Sequence, residues 1–131
     1  MILGAAYAYG ANVDDALRHL ALARRLSPRD DGQAGNFSTT GLCHLIAGRH
    51  AEAVDCERRA VQLRPHYGTA WRTLAAANGL LGDASAAALA LAEARRIQPN
   101  LSVAWVEKYY PLVDAALRAR YVEGLKKAGL K

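Results

Sequence analysis

Residues 69–99 read TAWRTLAAANGLLGDASAAALALAEARRIQP, and the spacing within this stretch decides the fold. Trp71, Leu74, Ala75 and Asn78 stand at i, i+3, i+4 and i+7, which puts them on one face of a helix. Ala87, Leu91 and Ala94 form an answering stripe on a second helix. Gly82 lies where the first helix must stop, Asp83 is placed to cap the second, and Pro99 ends it. Small residues at the crossing let the two backbones approach. Trp71 is expected to be buried against the neighbouring turn.

The same landmarks return one period upstream as Phe37, Gly48, Ala53, Ala60 and Pro65, and a partial copy precedes them in Gly4, Tyr7, Ala16, Leu20, Ala23 and Pro28. A period of about 34 residues with aromatic, Gly, Ala, Ala and Pro in this order resembles the tetratricopeptide repeat, a helix-turn-helix unit that stacks on its neighbours. The resemblance implies an all-α fold, a right-handed α-solenoid of antiparallel helix pairs. About three repeats (roughly 1–30, truncated, then 35–67 and 68–101) would be followed by C-terminal capping helices over 102–131, all in one domain. Repeat two departs most from the family pattern: Glu57 stands where an aromatic or aliphatic residue is usual, and Thr40 replaces a leucine. Tyr7, His44 and Asn78 are equivalent across the units, so the resemblance implies polar groups facing the packed interior.

Composition agrees with helices. Fifty-two per cent of the residues are hydrophobic and few are aromatic. The many alanines favour helix and close backbone approach. No apolar run is long enough to span a membrane, and residues 1–4 lack the features of a signal peptide, so the chain reads as cytoplasmic. Cys43 and Cys56 are not at metal-ligand spacing and read as reduced, partly buried thiols. The net charge of +5 hints weakly at nucleic acid or acidic partners. Arg24-Arg25, Arg58-Arg59 with Arg64, and Arg95-Arg96 all approach a repeat-ending proline, where cations complement the negative end of a helix dipole.

Eight helices are expected, at about 2–10, 13–26, 36–47, 51–63, 69–81, 84–97, 101–109 and from Pro111 to about 127, with Gly129 terminating the last. Asn36 and Asn100 read as helix-start residues. The segment from Arg29 to Gly35 reads as an irregular loop that takes up an insertion, because the interval from Pro28 to Pro65 is longer by three than that from Pro65 to Pro99.

The tail is not a standard repeat. Its proline-broken helix and terminal Glu123-Gly124-Leu125-Lys126-Lys127-Ala128-Gly129-Leu130 resemble the closing segment of bacterial, especially rhizobial, adenylate/guanylate cyclase-type signalling proteins. That resemblance implies a parent protein with a cyclase domain ahead of the repeats or, as in related regulators, a DNA-binding domain in its place. The apolar start, Met1-Ile2-Leu3, fits either a larger parent or an N-terminal end that associates with another copy. Leu112, Val113, Ala116, Leu117, Tyr121, Val122 and Leu125 give the last helix a broad apolar stripe suited to capping the core.

No nucleophile elbow, phosphate-binding glycine loop, paired-carboxylate arrangement or zinc signature occurs, and the four histidines are scattered. The chain therefore reads as non-catalytic, without cofactor or metal. What remains is the concave face of the earlier helix in each pair. Ser38, Thr39, Leu42 and Leu45 in repeat two, and Thr69, Arg72, Thr73, Ala76 and Leu80 in repeat three, are the expected partner-binding groove. Its hydroxyl-edged apolar character fits a protein or peptide, or another copy of the chain. The alternatives are an intramolecular regulatory region of a cyclase-type protein and, less favoured, a basic nucleic-acid binder.

Overall fold

The computed structural model describes residues 13–26, 30–109 and 115–131. The expected first helix over 2–10, with Tyr7, and the proline-broken segment at 111 lie outside them. Among the described residues the chain is all α-helical. Its helices are α1 (Val13–Leu26), α2 (Asp30–Ile46), α3 (His50–Leu63), α4 (Gly68–Leu81), α5 (Ala84–Ile97), α6 (Val103–Tyr109) and α7 (Ala115–Ala128).

Short connections force neighbours in sequence to pack as neighbours in space. α2 lies against α3, α3 against α4 and α4 against α5, with α1 on α2. α7 breaks this progression by returning across α4, and it also touches α5 and α6. Alanine makes the close packing possible: Ala53, Ala60, Ala70, Ala75, Ala87 and Ala94 are almost completely buried at the helix crossings.

The stop signals act as read. Gly82 takes the left-handed conformation (φ 94°) and its amide bonds back to the Asn78 and Gly79 carbonyls. The Asp83 carboxylate accepts from the Ala86 amide at 3.1 Å, capping α5. Gly129 (φ 113°) closes α7. Ser102, rather than Asn100, starts α6 by accepting from the Trp105 amide at 3.0 Å.

Three further expectations are corrected. The segment 30–35 is not an irregular loop but the first turns of α2, and Asn36 lies inside that helix. Tertiary contacts outweigh its glycines: Ala34 and Asn36 are buried, the Asn36 amide donates to the Leu20 carbonyl at 2.8 Å, and Arg24 donates to Asn36 Oδ1 at 2.6 Å. The insertion between Pro28 and Pro65 thereby lengthens α2, which has 17 residues where α4 has 14. The Trp71 ring is half-buried, its Nε1 donating to the Pro65 carbonyl at 2.7 Å. Arg24, Arg25, Arg95 and Arg96 do occupy last turns, but Arg58 and Arg59 stand earlier on the flank of α3.

Candidate functional site

The expected groove is not open. Ser38, Thr39, Leu42, Leu45, Arg72, Thr73 and Ala76 are buried, and Thr69 and Leu80 are half-buried. On α4 the cause is α7. A methyl group built on Gly79 would collide with the Gly124 carbonyl, and one built on Gly124 would collide with the Ala76 carbonyl. Only this glycine pair lets the two backbones come so close. Beside the crossing, Tyr121 is fully buried with its hydroxyl 2.9 Å from Thr73 Oγ1. Arg72, the one cation expected in the groove, runs under α6 instead. Its guanidinium lies 5.3 Å from the Trp105 ring centre, and Nη1 reaches Gln98 Oε1 at 3.4 Å. The face read as a docking surface is interior, and on α4 it is filled by the chain's own C-terminal helices. Sequence spacing identified the face correctly as distinct from the Trp71 stripe. It could not show that a non-repeat helix would return to cover it.

Two concavities lie on the opposite face of the earlier helices. One cleft, of about 280 Å³, lies between α1 and α3 over the floor of α2; another, of about 240 Å³, lies between α3 and α5 over α4. The two are related by the sequence period. Arg24, Phe37, Thr40, His44, Asp55 and Cys56 of the first cleft correspond, one period on, to Arg58, Trp71, Leu74, Asn78, Leu89 and Ala90 of the second. His44 and Asn78, expected to face the interior, thus line these clefts; Asn78 is buried and His44 half-buried.

Their chemistry differs. In the first cleft Phe37 carries two guanidiniums, Arg24 at 5.0 Å and Arg59 at 5.5 Å from its centre, and Glu52 and Asp55 line the same cleft. Arg24 is also held by Asn36 and by Thr40 Oγ1 at 3.1 Å. Burial, reinforced by Arg49, lowers the His44 pKa, and its Nδ1 accepts from Arg49 Nε at 3.0 Å. Both features keep the ring neutral. Burial pushes the Cys43 thiol up to about 11 and also raises Cys56, so neither is an activated nucleophile. The second cleft is mainly apolar, with Leu89 72% exposed on its rim.

Two further features matter. A larger concavity of about 410 Å³ between α6 and α7 is lined by Glu107, Arg118, Glu123 and Lys126, surface charges of both signs that do not converge on a ligand chemistry. Glu57 is completely buried on α3, and a Cβ on Gly41 of α2 would clash with its carboxyl group. Neither Glu57 oxygen has a partner in hydrogen-bonding geometry among the described residues. Burial raises its pKa well above the carboxylate range, which the neighbouring Ser38 hydroxyl only partly opposes.

Among the described residues, no three His, Cys, Asp or Glu side chains converge as a metal-binding group, and no helix is long and apolar enough to cross a membrane. No protein-family model matches the sequence, and no curated protein is significantly similar to it.

Proposed function

We propose that the chain is a non-catalytic interaction module of tetratricopeptide type, making protein–protein contacts or self-associating within a bacterial signalling protein. The observation that carries this reading is the pair of period-related clefts. The fold repeats a concavity once per period while varying the side chains that line it, as a binding scaffold does. The raised Cys56 thiol and neutral histidine of the first cleft, and the mainly apolar lining of the second, favour recognition over chemistry. The cyclase-type parent rests on the tail's resemblance alone, because packing already accounts for the buried Tyr121, Val122, Gly124, Leu125 and Leu130.

Sedimentation velocity over a concentration series tests self-association. Cross-linked capture in the source cell, followed by titration of the two purified proteins, tests a distinct partner. The reading expects saturable direct binding in at least one arm. A chain that stays monomeric and binds no purified candidate contradicts it.

A further inference from the structure

The second cleft carries more than a general role in contact. Its floor is Trp71 and Leu74, and its far wall is Ala86, Leu89 and Ala90 of α5. At about 240 Å³ it is smaller than the usual small-molecule site and has room for one large side chain. Leu89 is 72% exposed, although its counterpart in the first cleft is Asp55. The repeat therefore does not require an apolar residue at this position. Leu89 on the rim and the half-buried Trp71 on the floor both leave apolar surface open in this one cleft.

The near wall supplies charge. Arg58 stands on the flank of α3, away from the dipole end that accounts for Arg24, Arg25, Arg95 and Arg96, and it forms no ion pair among the described residues. Other nearby cations are engaged: Arg59 lies over Phe37, Arg64 lies 4.8 Å from the centre of Tyr67, and Arg96 pairs with Glu93. A single free guanidinium beside an apolar slot matches a carboxylate next to an apolar side chain. It is a poor match for a run of phosphates, which needs several cations in a row.

From these residues we infer that the α3–α4–α5 cleft docks a peptide segment of a partner protein, with a large apolar side chain seated over Trp71 and Leu74 against Leu89 and an adjacent carboxylate on Arg58. This rests on the interaction-module reading and adds a location and a chemistry to it.

The test is fluorescence polarisation of the full chain with a labelled Gly/Ser-flanked peptide carrying a Leu-Glu-Leu-Glu core. The same peptide with Lys for Glu and single-stranded oligo-dT serve as comparisons. The acidic peptide should bind, with both comparison probes at least about tenfold weaker. Leu89→Glu and Arg58→Glu should each weaken binding by about tenfold or more. Both positions are exposed, so circular dichroism should show unchanged folding. The Trp71 indole N–H resonance should shift on titration in the unmodified protein. Absent binding, equal binding of the Lys peptide or oligo-dT, or full affinity in both variants overturns the cleft assignment. If a purified partner binds regardless of these variants, the cleft assignment fails while the module reading stands.

Discussion

At the scale of single residues, Glu57 is where sequence and structure say different things for a physical reason. By the repeat register its position should be apolar, and one period on the pair Gly41 and Glu57 is replaced by the buried pair Ala75 and Leu91. The chain accommodates the carboxyl by removing a side chain opposite it rather than by supplying a partner. The sign of the pH effect follows. The folded-state pKa lies above the unfolded value of about 4.5, so the stabilising form is the protonated one. Its contribution is fully present below that unfolded value, and falls as pH rises until the folded form also ionises. Denaturant melts from acid to alkaline pH should therefore show stability declining with pH in the unmodified chain. The Glu57→Gln variant should lack that component, and a parallel decline in the variant would refute it. Glu57→Leu should stabilise the protein at neutral pH by about 1–3 kcal/mol, because a buried group with unsatisfied oxygens is replaced by the residue type found in the next repeat. Thr73 and Tyr121 make the opposite case, a buried hydroxyl pair at 2.9 Å. Tyr121→Phe should cost about 1 kcal/mol in the same melts, and a neutral result would show that the contact contributes nothing net.

At the scale of elements, the helix pairs were legible because their signals are local. Gly82, Asp83 and Gly129 act through the backbone within a few residues of themselves. The start of α2 was not legible. Asp30, Gly32 and Gly35 read as a loop by propensity, and the bonds of Asn36 to Leu20 and Arg24 of α1, which oppose this, reach 16 and 12 residues back in sequence. The path of α7 was hidden for the same reason: its apolar stripe announced that it must cover something, and nothing local named α4. The close approach at Gly79 and Gly124 gives this element contact a sharp test. Gly79→Ala or Gly124→Ala places a methyl group into a backbone carbonyl that cannot move without displacing its helix. Each should destabilise the chain by about 1–3 kcal/mol or more and loosen α7 from α4, read by thermal melts and by loss of the Tyr121–Thr73 contact in NMR spectra. An alanine at either position that melts like the unmodified protein would show that the helices are not in this contact.

At the scale of the whole molecule, the last helix decides which face of α4 is interior: α7 covers the Thr73–Ala76 side, and clefts lie on the other side of α2 and α4. Sequence reading found both faces of α4, since the Trp71–Leu74–Asn78 stripe and the Thr73–Ala76–Leu80 stripe are both periodic. The first stripe packs as expected, with Leu74 and Asn78 buried; the second was read as open because its burial depends on α7, which belongs to no repeat. Hydrogen–deuterium exchange of the full chain tests this directly. The amides of α4 from Thr73 to Gly79 and those of α7 from Tyr121 to Leu125 should be among the slowest to exchange, and should exchange together in one cooperative unit. Rapid exchange throughout that part of α7 while α4 stays protected would mean that the inner face is free, and would contradict the account.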